Sequence, residues 1–257
     1  MPHDRIAKLR AFLTDCSHVY GIGDVDEDLE AADLTAATLA TSTGQMKLAH
    51  MRFARDLACW RSLRRCVGGD SAAVVSLCTG PGTPLLGWFY DTPPASEQPL
   101  LACDPLDWLP LRELPSLHAL WADILGGHEP CAYRGGVLLP DAVPQGATVL
   151  ASLVLPLDID QESKMLAWLH EQRGRGCRIV LAGPRQDREP GLWQRIGAGL
   201  RIDDQPNLFR ASGLADFANA FPQKAAWGFR RTRDHLSLST ALLGTADGWR
   251  FLDGSST

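Results

Sequence analysis

Two glycines and an acid set the first expectation. Gly80-Pro81-Gly82 follows the apolar run Ala73-Val74-Val75-Ser76-Leu77-Cys78, and a second apolar stretch, Leu85 to Tyr90, begins almost at once. A buried parallel strand reads this way where it turns sharply into a helix. Glycine on such a turn lets the backbone approach a ligand, and the N–H groups opening the next helix face whatever lies above the strand. Asp104 closes another short run, Leu100-Leu101-Ala102-Cys103, 22 residues beyond Gly82. That is about the separation at which the second strand of a dinucleotide-type fold offers an acid to a ribose hydroxyl pair.

The elements that must position these residues can be read from the periodicity. Ile6, Leu9, Phe12, Leu13, Cys16 and Tyr20 fall at helical spacing behind Asp4, a suitable N-cap. The segment from Asp24 to Thr43 opens with Asp24, Asp26, Glu27, Asp28 and Glu30, acids that favour a helix start through the dipole. Residues 45 to 67 predict a strong helix, with Met46, Ala49, Phe53, Leu57 and Trp60 on one face. Arg52, Arg55, Arg61, Arg64 and Arg65 lie mostly on others and read as solvated or paired with the acids before them.

Beyond Asp104, Leu117 to Asp123 reads as a third strand ending in an acid, and Gly126 to Pro140 as irregular. Ala147 to Leu155 reads as a fourth strand, Asp158 with Gln161 as a capping box opening a helix to Arg173, and Cys177 to Ala182 as a fifth strand. A helix over 190–202, a shorter one over 214–221, strands over 227–233 and 236–243, and an edge strand over 249–252 complete the chain. The alternation predicts an α/β, doubly wound Rossmann-like sheet, mostly parallel with a C-terminal antiparallel strand pair, preceded by N-terminal helices. Residues 1–69 form the helical segment and 70–257 the sheet domain.

Bulk properties exclude several classes. With 257 residues, 45% hydrophobic and 21% charged, the chain can bury a substantial core without staples. A net charge of -5 gives no general attraction to nucleic acid or an anionic membrane. Seven cysteines, odd in number and never spaced Cys-x-x-Cys, predict reduced thiols rather than a disulfide framework or zinc site, and no metal is expected. With no signal-like start and no stretch of membrane-spanning length, a cytoplasmic protein is expected.

On these residues the chain resembles the class I S-adenosylmethionine-dependent methyltransferases. The resemblance runs from about residue 45 to 243: helices before the first strand, the turn Gly80-Pro81-Gly82, Asp104 after the second strand, Asp123, the glycine-led fifth strand, and Trp227-Gly228-Phe229 leading into a strand pair. It implies S-adenosylmethionine as cofactor. Thr79, Gly80, Pro81 and Gly82 would approach the methionine part, Asp104 would hold the ribose, and Asp123 would meet the adenine amino group. Cys78 stands where relatives carry an acid that helps hold the cofactor's ammonium group, and Pro84 stands where they carry a third glycine.

Candidates for proton handling are Asp158 after the fourth strand, which also reads as a cap, and His128 and Tyr133 in the irregular loop. Signatures of base methylation are missing: Pro130-Cys131 precedes the fourth strand rather than following it, and there is no Asn/Asp-Pro-Pro-aromatic motif. A small-molecule or peptide acceptor is therefore expected over nucleic acid, with room for a homodimer or protein partner. The alternative is a methyltransferase-like domain that has lost catalysis and serves as a binding partner, using the arginine helix and Trp88, Trp108 and Trp121 as interface. A nicotinamide oxidoreductase is disfavoured because Gly-x-Gly-x-x-Gly spacing is missing.

Overall fold

The computed structural model describes residues 2–19, 41–108, 113–126, 132–153, 157–186, 189–204, 206, 209–210 and 237–253. Its elements are α1 (Pro2–Val19), α2 (Ser42–Val67), β1 (Val74–Leu77), α3 (Thr83–Trp88), β2 (Leu100–Asp104), α4 (Pro115–Leu125), β3 (Ala132–Gly135), β4 (Thr148–Ser152), α5 (Ile159–Gly174), β5 (Arg178–Gly183), α6 (Pro190–Leu200), β6 (Phe209–Arg210), β7 (Ser237–Thr245) and β8 (Gly248–Phe251).

One sheet runs β3-β2-β1-β4-β5-β7-β6. β1 to β5 are mutually parallel, and β7 is antiparallel to β5. The outer edge of β7 is shared by β6 near its start and β8 near its end, both antiparallel to it. From β1 the chain steps one way to β2 and β3, then returns to β4 and steps the other way. Crossovers of fixed hand must put the helices of these two halves on opposite faces. Accordingly α1 to α4 share one apolar layer with Val74, Leu100, Ala102, Leu150 and Val180. Helices α5 and α6 share the other with Val75, Leu77, Cys103, Val149 and Ile179. Adjacent residues such as Val74 and Val75 enter opposite cores because strand side chains alternate.

The predicted doubly wound sheet with its antiparallel addition is therefore present, with one element misassigned. Leu117 to Asp123 is not a strand; it lies in α4, and the third strand is the short β3, inside the stretch expected to be irregular. Leu117, Leu120, Trp121, Ile124 and Leu125 are buried on one side of α4, a 3–4 residue repeat that outweighs the apolar run. Pro115 occupies the helix start, where its missing N–H costs nothing.

Helix α1 is tied to α4 by Arg5 and Lys8. Arg5 Nε donates to Asp123 Oδ2 at 2.8 Å, Lys8 Nζ lies 3.0 Å from Asp123 Oδ1, and Arg5 also donates to the Tyr90 carbonyl. Helix α2 crosses the same face and packs closely on α3. A Cβ on Gly87 would lie 2.5 Å from Trp60 Cβ and 2.6 Å from the Leu57 carbonyl, so only glycine permits this approach. Trp88, Trp108 and Trp121, expected as surface residues, are buried in this layer. The expected elements over 24–40, 214–221 and 227–233 lie outside the described residues.

Candidate functional site

The strand order reverses between β1 and β4, and ligands of open α/β sheets bind outside the carboxyl ends of the strands at such a switch point. The turn after β1 borders it. Cys78, Gly80 and Gly82 all have positive φ, at 49°, 55° and 94°. Ser76 and Thr79 share a hydroxyl hydrogen bond of 2.9 Å, Thr79 N donates to the Cys103 carbonyl at 3.3 Å, and Gly82 N to the Thr79 carbonyl at 2.9 Å. Thr79, Pro81 and Gly82 are buried, whereas Gly80 stays partly exposed.

The two glycines have different reasons to be glycine. A Cβ on Gly82 would lie 2.0 Å from the Trp121 ring, so the fold forbids a side chain there. A Cβ on Gly80 would meet nothing nearer than the Trp108 ring at 3.8 Å. Its φ of 55° lies in the left-handed region that favours glycine, a conformation Cys78 also adopts two residues earlier. The bare backbone at Gly80 is a surface that protein packing leaves uncovered.

Asp104 lies at the end of β2 with no exposed surface. Its Oδ2 accepts from Gly80 N at 2.7 Å and its Oδ1 from Leu106 N at 2.9 Å. Burial pushes its carboxyl up to about 6, while the Gly80 and Leu106 amides and the neighbouring Trp108 indole pull it down. Each oxygen thus takes one backbone bond, which braces the glycine turn against β2. Cys78 is buried in the core with β1, and its thiol is raised by burial, then by Asp104 and Cys103. It supplies no anion where the family pattern has a carboxylate.

The other described candidates do not converge on the turn. Asp123, on α4, is bound to Arg5 and Lys8, which with desolvation acting against them hold its carboxyl below the ordinary value. Its expected place after the third strand is overturned along with that strand. Asp158 is the exposed N-cap of α5: its Oδ1 accepts from Gln161 N at 2.7 Å, and the Gln161 side chain returns a bond to the Asp158 amide. Tyr133, half-buried on β3, donates its hydroxyl to the Leu106 carbonyl at 3.3 Å, two residues past Asp104. His128 lies outside the described residues.

Three residues that sequence reasoning did not assign to the site stand close to it. Trp108 and Trp121 flank Gly80 and Gly82. Gln45, in the first turns of α2, donates from Nε2 to the Asp107 carbonyl at 2.7 Å, fixing that helix end beside the segment after β2. The i, i+3, i+4 spacing of Leu117, Leu120 and Trp121 carried the signal for Trp121; nothing local marks Gln45. Among the described residues no group of three His, Cys, Asp or Glu side chains could hold a metal ion, and no helix is long and apolar enough to cross a membrane.

The sheet order and its glycine turn define a doubly wound, Rossmann-like domain with an antiparallel strand added beside β5. No protein-family model matches the chain, and no curated protein matches it. Solved structures of similar fold include a Listeria monocytogenes protein assigned to the class I S-adenosylmethionine-dependent methyltransferases, 8% identical, with TM-score 0.41 and 80% of each chain covered. The plantazolicin methyltransferase BpumL, solved with S-adenosylhomocysteine, is also 8% identical, with TM-score 0.41 and coverage of 95% of this chain and 99% of that one. Human N-acetylserotonin methyltransferase, solved with S-adenosylmethionine, is 13% identical over 66% of this chain and 48% of its own, with TM-score 0.34.

Proposed function

We infer that the chain is a methyltransferase using S-adenosylmethionine, and that its acceptor is a small molecule or peptide. The observation that carries this reading is Gly80: a partly exposed backbone position at the switch point, where a Cβ would meet no atom nearer than the Trp108 ring at 3.8 Å. The cofactor supplies an electrophilic methyl carbon on a sulfonium. The chain's part is to hold both reactants, a proximity effect that needs little acid or base. Asp104 fixes the Gly80 amide and so the shape of the cradle, and Trp108 walls one side of it. Among the proton-handling candidates, Asp158 is spent on capping and Tyr133 on the Leu106 carbonyl, which leaves His128 as the proposed one. The net charge of -5 favours a small or peptide acceptor over nucleic acid. Six free cysteines among the described residues favour a reducing, cytoplasmic setting.

The test is calorimetry with S-adenosylhomocysteine on wild type and Gly80→Val. Wild type is expected to bind, and the variant to remain folded, with a left-handed strain cost of about 1 to 2 kcal/mol, while losing the ligand. Absence of heat from wild type at millimolar ligand refutes the reading. It would favour a domain that keeps the fold without the chemistry, a second reading supported by the sealed Asp104 and the buried Cys78 thiol.

A further inference from the structure

At the end of the sheet away from the glycine turn, where β4 and β5 begin, lies a cavity of about 200 Å3. Asp70, Gly146, Thr148, Cys177, Arg178 and Thr245 line it. Parallel pairing sets Thr148 beside Arg178, and antiparallel pairing brings the end of β7, with Thr245, along the other side.

Three guanidinium groups gather around this cavity. Arg178 Nη1 donates to the Gly68 carbonyl at 2.9 Å, and Arg64 Nη1 donates to the same oxygen at 3.2 Å. Arg173 Nη1 donates to the Thr245 carbonyl at 3.0 Å, while its Nε is buried with no hydrogen-bond partner. Carbonyls fix these groups in place without neutralising them. Other arginines of the chain are matched by acids: Arg61 and Arg65 hold Asp91 at 2.7 and 2.8 Å, Arg55 holds Asp56 at 3.0 Å, and Arg195 holds Glu162 at 2.9 Å. Around the cavity, Asp70 touches Arg64 at 3.5 Å with its side chain fully exposed, and Asp247 in the β7–β8 hairpin is exposed too. Among the described residues neither Arg173 nor Arg178 has a carboxylate partner. Like charges held this close repel, and an anion bound among them removes the repulsion.

We propose that the cavity binds the phosphate group of a small metabolite, with Arg178 as its main contact and Arg64 and Arg173 supplying the surrounding positive charge. One guanidinium fork satisfies a carboxylate; several together suit a group carrying close to two negative charges. The volume falls below the roughly 300–1,000 Å3 of pockets that enclose drug-sized ligands, so the group held is small. This site is separate from the switch point, and it does not rest on the methyltransferase reading.

The test uses the full chain as wild type, Arg178→Gln and Arg173→Gln, with inorganic phosphate, glycerol 3-phosphate, acetate and S-adenosylhomocysteine as probes. Binding is read by calorimetry and by the rise in melting temperature. Wild type is expected to bind both phosphates about tenfold or more tightly than acetate, and less tightly as salt is added. Arg178→Gln should lose about tenfold or more in phosphate affinity, and Arg173→Gln a smaller factor, with the response to S-adenosylhomocysteine unchanged in both. If Arg178→Gln does not melt cooperatively, Arg173→Gln decides. The proposal is overturned by absence of heat from wild type at about 10 mM phosphate, by acetate binding as tightly, by unchanged phosphate affinity in the folded variants, or by displacement of phosphate by S-adenosylhomocysteine. Binding to phosphatidic acid vesicles without binding to glycerol 3-phosphate overturns a free metabolite as the source. Phosphate binding that requires Arg178, with no response to S-adenosylhomocysteine, removes the methyltransferase reading and leaves this site standing.

Discussion

Replacing Asp104 with Asn isolates the energy of the brace under the glycine turn. The wild-type carboxyl sits at about 6 rather than 3.8, because burial opposes its ionisation more than the Gly80 and Leu106 amides favour it. That difference corresponds to about 3 kcal/mol. A raised folded-state value means that the folded protein holds the proton more tightly than the unfolded chain. The associated stability is therefore fully present below 3.8 and is lost as pH rises through about 6.

Asn cannot ionise. Its Oδ1 keeps one amide partner, but its NH2 turns a donor toward the other, a cost of about 1 to 3 kcal/mol that does not vary with pH. The variant is thus expected to be less stable than wild type near pH 3.5. The gap should narrow, or reverse, by up to about 3 kcal/mol by pH 7.5. Urea unfolding midpoints of both proteins across that range give the comparison, and titration of Asp91, Asp123 and the other acids cancels in the difference. A gap constant in pH would show that Asp104 is not the buried, backbone-bound carboxylate described above.

Gly82→Ala forces a left-handed φ onto a residue with a Cβ and drives that Cβ into the Trp121 ring; a loss of about 3 kcal/mol or more is expected in urea unfolding, far above that of the same change at Gly80. Asp158→Ala removes the cap of α5 and should cost about 1 kcal/mol in thermal unfolding while leaving S-adenosylhomocysteine affinity unchanged, which separates capping from a role at the site.

Where local chemistry decides structure, the sequence was readable. The valine run, the glycines and the Asp158–Gln161 box placed β1, the turn and the start of α5 within a few residues. Two failures share a cause in tertiary packing. Leu117 to Asp123 is apolar enough for a buried strand, and the competing i, i+3, i+4 spacing of Leu117, Leu120 and Trp121 wins once that face is packed against its neighbours. β3, with four residues at a sheet edge and a half-buried Tyr133, buries too little to leave a pattern. The site was legible as a place and not as a set of roles. Spacing put Asp104 beside the turn correctly, but spacing cannot say whether a carboxylate faces solvent or the backbone of its neighbour. The pairing of α2's arginines was likewise hidden, since Asp91 lies 26 to 30 residues away in sequence.

The outer margin of the sheet has a consequence for self-association. β7 is nine residues long, yet among the described residues only the two-residue β6 and the four-residue β8 lie beyond it, placed end to end. The opposite margin, β3, is four residues long. An incoming strand would find only stubs of main-chain donors and acceptors, too short to template a ladder. Among the described residues, then, the sheet margins offer a second copy little main chain to pair with, and the helical faces carry most of the remaining surface.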